Sequence, residues 1–204
     1  MAGCASTAKY QRAAELLNLG MTYANNGQFD YALEKYNKAI KINPDFAKAY
    51  NDRGNVFFMR GEFDLAIKEY VKAIDIDPLF AKAYSNLGFA YFEKEQYARA
   101  IEHYTSAIKV NPEYARAYNN RGLVYYVSGN FDLALDDYNR AIDIDPLLAK
   151  PYDNRGTVYM VIGDMEKACS DFIKACELGE CSTFEMFEDD DFCAFTYLAM
   201  VGVK

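Results

Sequence analysis

Apolar residues along this chain recur three and four positions apart in short blocks, and each block ends in a polar, turn-forming break. In the stretch from Ala81 to Tyr114, Tyr84, Leu87, Gly88 and Tyr91 form one such stripe, and Ala100, Ile101, Tyr104, Ala107 and Ile108 form a second. That spacing predicts two amphipathic helices joined by a short turn. The same pair is written five times at a 34-residue period, starting at Ala13, Ala47, Ala81, Ala115 and Ala149. Glycine holds position eight of every unit (Gly20, Gly54, Gly88, Gly122, Gly156), alanine position twenty (Ala32, Ala66, Ala100, Ala134, Ala168), and an aromatic position twenty-four (Tyr36, Tyr70, Tyr104, Tyr138, Phe172). Small residues at eight and twenty let two helices of one unit approach closely. Gly27, Gly61, Gly129 and Gly163 fall between the helices, where a left-handed residue closes the first of them. Asp30, Asp64, Asp132 and Asp164 stand near the start of the second, at the positive end of its dipole. Pro44, Pro78, Pro112 and Pro146, each preceded by Asn or Asp, end the unit.

These offsets resemble the tetratricopeptide repeat, whose fingerprint is an aromatic, then Leu-Gly, Tyr, Ala, Phe and Pro at the same spacings. The departures are the lack of Trp at position four, Arg53, Arg121 and Arg155 in place of Leu at seven, and Glu95 where other units carry Gly. The resemblance implies an all-α fold, a right-handed α-solenoid of five antiparallel helix pairs. Residues 13–46, 47–80, 81–114, 115–148 and 149–182 are then the repeats of one array, since a single pair cannot bury its own apolar face. Residues 1–12 precede the array as a tail or lead-in helix. Residues 183–204, acidic and then apolar, read either as a cap that covers its last face with a stripe of Phe184, Phe187, Phe195 and Leu198 or as a tail, partner-docking or disordered.

Charge narrows the partners. A net charge of −8 argues against nucleic acid, whose phosphates need a basic footprint. The longest apolar run, Phe192 to Val203, has 12 residues and is too short to span a bilayer. No Walker loop, dinucleotide glycine motif, HExxH or nucleophile elbow occurs, so neither an enzyme nor a cofactor is expected. His103, the single histidine, is expected on a solvated face. Arg53, Arg121 and Arg155 are expected to pair with acids such as Asp137, a surface pair contributing about 0–1 kcal/mol.

In the resembled family the first helix of each repeat lines a concave groove that holds extended peptides. Mapped onto this chain, position two reads Ala14, Lys48, Lys82, Arg116 and Lys150, and position six reads Asn18, Asp52, Asn86, Asn120 and Asn154. A primary amide both donates and accepts, so a column of them suits sequence-tolerant binding of a peptide backbone. The column is similar to the asparagine ladder in the repeat domain of O-GlcNAc transferase, without a glycosyltransferase domain in these 204 residues. Against the carboxylate clamp of the chaperone-binding members, Asn55, Asn86 and Arg116 match their places, while Asn51 replaces a Lys and Asn120 an Arg. A chaperone-tail specificity is therefore not expected. Phe58, Met59, Phe89, Phe92, Leu123, Tyr126 and Met160 add apolar pockets. The expected activity is a protein-interaction scaffold that binds a peptide or partner segment through Asn18, Lys48, Asn51, Asn55, Lys82, Asn86, Phe89, Arg116, Asn120, Lys150 and Asn154.

Ala2-Gly3-Cys4 resembles the lipidation site of a bacterial lipoprotein, although the apolar stretch that should precede it is missing from the sequence. Two readings stand: an envelope lipoprotein acting as an assembly adaptor, in the periplasm or at the outer membrane, or a cytoplasmic scaffold with an ordinary N-terminus. In the exported case Cys181 and Cys193 are expected to pair. Cys169 and Cys176, seven apart, read as small core residues, and the cysteine spacing matches no zinc site.

Overall fold

A computed structural model describes residues 2–185 and Cys193, with side chains described from Lys9 to Thr183 and at Cys193. The described residues are helical with no strand, as the period predicts. The chain divides into two compact units, Met1–Val110 and Asn111–Lys204. The first holds α1 (Ala2–Asn25), α2 (Phe29–Ile42), α3 (Ala47–Met59), α4 (Phe63–Ile76), α5 (Ala81–Glu93) and α6 (Tyr97–Val110). The second holds α7 (Ala115–Val127), α8 (Phe131–Ile144), α9 (Ala149–Val161), α10 (Met165–Glu177) and the short α11 (Ser182–Glu185). Within each unit a helix packs most extensively on its partner in the same repeat, and the second helix of a repeat packs on the first of the next. Because α1 starts at Ala2, residues 2–12 continue the first repeat helix. The cap predicted beyond Glu185 lies outside the described residues.

Tight contact within each pair comes from the position-eight glycine. A Cβ on Gly54 would lie 2.7 Å from the Tyr70 ring, and one on Gly156 would lie 2.7 Å from the Phe172 ring and 3.2 Å from the Ala168 carbonyl. The position-twenty-four rings fill this gap and are almost wholly buried, each such burial contributing roughly 1.5–3 kcal/mol. In the first unit Leu17, Ala32, Tyr36, Ala39, Ala49 and Val56 make one contiguous core cluster.

Turn chemistry follows the same residue logic. Gly27, Gly61, Gly129 and Gly163 have φ between 71° and 84°, and in the third repeat Glu95 is forced to φ 57°. A side chain in the left-handed region is unfavourable by roughly 1–2 kcal/mol, so Glu95→Gly is expected to raise stability by about 1 kcal/mol, read from the urea midpoint. The residue before each proline accepts from the backbone two residues on: Asn43 from Asp45 (3.3 Å), Asp77 from Leu79 (3.0 Å), Asn111 from Glu113 (3.1 Å) and Asp145 from Leu147 (3.2 Å). Of the four aspartates near second-helix starts, Asp164 is the N-cap and accepts from the Lys167 amide at 3.3 Å. Asp30, Asp64 and Asp132 sit two residues past their N-caps, where they act through the dipole.

Three expectations are corrected. The position-seven arginines make the expected pairs with acids on the adjacent helix, Arg121 with Asp137 among them, but these pairs are mostly buried and not at the surface. Arg53 clasps Glu69, Arg121 clasps Asp137 and Arg155 clasps Asp171 across their helix pairs, with both arginine and acid mostly buried. The guanidinium of Arg155 also lies over the rings of Tyr152 and Tyr159. His103 is not solvated. It is half-buried and stacked on Tyr91 at 5.2 Å, and burial holds its pKa below the ordinary histidine range. Finally, the disulfides join Cys169 to Cys193 and Cys176 to Cys181, not Cys181 to Cys193. After α10 the chain reverses at Gly179, φ 96°, which brings Cys181 back to the end of its own helix, while Cys193 returns to the buried Cys169.

Candidate peptide-binding face

In the first unit the site residues come from α1, α3 and α5. Lys48, Lys82 and Asn18 are exposed, Asn55 and Asn86 are half-buried, and Phe89 keeps 37% of its surface. Asn51 is fully buried, so its amide is internal rather than offered to a ligand. The amides form a chain linking consecutive repeats. Asn86 Nδ2 donates to Asn51 Oδ1 at 2.8 Å and to Asn55 Oδ1 at 3.0 Å, Tyr70 Oη donates to Asn55 Oδ1 at 2.9 Å, and Asn51 Nδ2 donates to Asp52 Oδ1 at 3.0 Å. The donors of Asn86 and the acceptor of Asn55 are therefore engaged inside the protein. What this pair can offer a ligand is the Asn86 carbonyl and the Asn55 N–H groups.

The second unit repeats the arrangement on α7 and α9. Asn154 Nδ2 donates to Asn119 Oδ1 at 2.9 Å, and Asn119 Nδ2 donates to Asn120 Oδ1 at 3.2 Å. Arg116 and Lys150 are exposed, and Lys150 is paired with Glu180 at 2.9 Å. Position-six asparagine thus also stitches one repeat to the next, a role invisible in the sequence because its partner sits a full repeat away. Asn86→Ala is accordingly expected to lower stability by about 1–2 kcal/mol, since it removes two partly buried hydrogen bonds; thermal unfolding checks this, with Lys82→Ala as an exposed control.

Apolar pockets predicted in the first unit are a run of rings. Phe58 stacks on Phe89 at 4.9 Å, Phe89 on Phe92 at 6.3 Å, and Phe92 tilts against Tyr97 at 5.8 Å. In the second unit Tyr126 meets Phe131 at 6.0 Å.

Asp52, the one acid among the position-six asparagines, was not singled out by its sequence position. It is 6% exposed, and its Oδ2 has no hydrogen-bond partner among the described residues. Burial pushes its carboxyl above the ordinary range, against the lowering effect of Asn51, Lys48 and Lys82. A carboxyl raised by folding keeps its proton longer in the folded chain, so this group weakens the fold as pH rises through the folded pKa and has no effect below the unfolded one. Asp52→Asn is therefore expected to stabilise by about 1 kcal/mol at pH 7, a gain that disappears towards pH 3. Melting curves across that range provide the check.

Charge is also divided unequally along the chain. Residues 1–110 carry 14 Lys and Arg against 13 Asp and Glu, and residues 111–204 carry 8 against 17. The first unit is thus close to neutral in charge and the second strongly acidic. Among the described residues no helix is long and apolar enough to cross a membrane.

Family models described as TPR repeat match residues 20–61 and 54–94, and models described as tetratricopeptide repeat match 86–149 and 149–178. The chain belongs to the tetratricopeptide repeat family, an α-solenoid class of protein-interaction scaffold. Among solved structures it is similar to MamA, at 32% identity over 79% of this chain and 94% of that one, with a TM-score of 0.67. It also shares its fold with pilF of Pseudomonas aeruginosa, at 22% identity over 95% of this chain and 92% of that one, TM-score 0.81. YrrB, described as a TPR protein with an unusual peptide-binding site, aligns at 22% identity over 89% of this chain and 90% of that one, TM-score 0.61. No curated protein sequence matches the chain.

Proposed function

We propose that this chain is a non-enzymatic scaffold that binds an extended peptide or partner segment on the first-helix faces of its repeats. The observation that carries this reading is the composition of the α3 and α5 face. There the stacked Phe58, Phe89 and Phe92 accompany the Asn55–Asn86 amide pair and the exposed Lys48 and Lys82. Rings supply apolar anchors, the two amides pair with a peptide backbone, and the lysines favour acidic residues in the ligand. The test is selection of a random twelve-residue peptide library on the full chain, followed by fluorescence anisotropy of the enriched peptides. Phe89→Ala and Lys82→Glu should each weaken binding about tenfold or more with helicity unchanged, whereas Lys109→Glu on α6 should leave it alone. Enriched peptides indifferent to both face variants, or no enrichment at all, would overturn the reading.

A second reading is favoured by the two cysteine pairs, which suit an oxidising compartment. Together with Ala2-Gly3-Cys4 they support a bacterial envelope lipoprotein that acts as an assembly adaptor. If so, the native protein partitions into membranes and Cys4→Ser releases it, a second anchor or a partner adding to the weak hold of one acyl chain. A native protein that is cytosolic and reduced would rule this reading out.

A further inference from the structure

We propose that the open cavity lined by α1, α2, α3 and α5 is a subsite for a basic side chain, lysine or arginine, with Asp52 as its acceptor. The proposal rests on the peptide-binding reading and specifies what the peptide must carry. The cavity has a volume of about 170 Å³, and Met21, Met59, Asn25, Asn55, Asp52 and Lys82 contribute to its wall. Asp52 lies in this wall with Oδ1 held by Asn51 Nδ2; Oδ2 is closed to solvent, has no hydrogen-bond partner among the described residues, and meets a guest when the carboxyl turns toward the cavity. A buried carboxylate oxygen without a donor is unfavourable, and a charged donor compensates it best. Among the described residues Lys48 and Lys82 act on Asp52 by charge without forming an ion pair with it.

The rest of the wall fits such a guest. Met21 and Met59 present flexible thioether side chains to an aliphatic stem, and the Asn25 amide adds a carbonyl acceptor for the head group, the Asn55 carbonyl being already engaged by Tyr70 and Asn86. Lys48 and Lys82, both exposed, then favour acidic residues on either side of the inserted one. The preferred ligand is a basic residue flanked by acids. In the other four repeats this register holds Asn18, Asn86, Asn120 and Asn154, so an amide is structurally accepted there and the acid is a local departure.

The cavity is tested in the full chain by methyl and side-chain amide NMR, with n-butylguanidinium, n-butylammonium, pentanamide and pentanoate as probes. The two cations should shift the Met21, Met59 and Asn55 signals saturably, and pentanamide and pentanoate should bind at least about tenfold more weakly. Asp52→Asn should abolish the cation preference while leaving the remaining methyl spectrum in place. If that variant perturbs the spectrum, Met59→Phe, which narrows the cavity from its exposed rim, should block the same shifts. Cations that bind wild type and Asp52→Asn equally, or pentanamide or pentanoate binding as well as they do, would overturn the subsite. The library peptides give a second arm: Lys or Arg next to Asp or Glu should be enriched on wild type and not on Asp52→Asn. Peptides that bind without this preference sink the subsite and spare the scaffold reading, whereas saturable cations with no peptide binding do the reverse.

Discussion

Asp171→Ala should lower the unfolding free energy by about 3–5 kcal/mol, the range for removing one partner of a buried ion pair. Asp171 accepts from Arg155 Nε and Nη2, both at 2.7 Å, and its side chain is only 7% exposed. Arg155 Nη1 also donates to Asn139 Oδ1 at 2.6 Å. Without Asp171 the guanidinium remains between Tyr152 and Tyr159 with its strongest acceptor gone. Arg155→Ala is expected to be damaging for the complementary reason, since it strands a carboxylate that is better buried than its partner. Replacing both by Met and Leu should restore most of the loss, because the pair offsets its own desolvation rather than adding much to it. By contrast Lys174→Ala, which breaks an exposed pair with Glu177, should leave the urea midpoint almost unchanged. Urea denaturation of the four variants decides the matter. A loss near 1 kcal/mol for Asp171→Ala would mean that the pair is open to water in solution and that the sequence-level view of a surface bridge was adequate.

That pair also marks where sequence reasoning stops. The period alone located all the helix pairs, because Gly54 and Gly156 are required by rings sixteen residues on and Gly61 by a backbone φ of 75°. Such constraints are local, and each residue type has one dominant physical reason to be there. The face was less legible. Asn86 looked like a solvent-directed ladder rung, yet its two N–H groups are bound to Asn51 and Asn55, 35 and 31 residues earlier. Asn51 looked like a ligand contact and is wholly buried. Whether a polar side chain faces a partner or a neighbouring repeat depends on packing between repeats, which no spacing within one repeat encodes. Cysteine pairing failed for the same reason: Cys169 and Cys193, 24 residues apart, are joined across a separation that has no periodic signature. Asp52 did carry a signal, a single acid in a column of amides, though only its burial gives that signal meaning.

Under the proposed function the same face serves stability and recognition at once, and its residues separate the two roles. Asn86 loses fold when removed. Asp52 gains fold when neutralised, and under the subsite proposal loses selectivity in exchange, the pattern expected of a group kept for binding.

Gly122→Ala provides the second large effect, and here two physical terms have opposite signs. In the middle of α7 alanine is a better helix former than glycine by about 1 kcal/mol. Against this, a Cβ at Gly122 would lie 2.8 Å from Tyr138 Cε1 and 3.0 Å from Cδ1. The contact is with a ring and not a flexible chain end. Tyr138 is wholly buried, packed with Ala134 and Val158 and flanked by Tyr125, Phe131 and Leu135, so it has little room to turn away. Overpacking of this kind is unfavourable by about 1–3 kcal/mol or more, and with so rigid a neighbour it should outweigh propensity, leaving a net loss of about 2 kcal/mol. Gly129→Ala separates the causes: its Cβ would meet nothing within 4 Å, and only its φ of 75° is strained, so it should lose about 1 kcal/mol. A double-mutant cycle completes the argument. In a Tyr138→Leu background, where the ring is gone, Gly122→Ala should become neutral or stabilising, because the helix term alone survives. Additive effects of the two substitutions would place the strain elsewhere than between Gly122 and the Tyr138 ring.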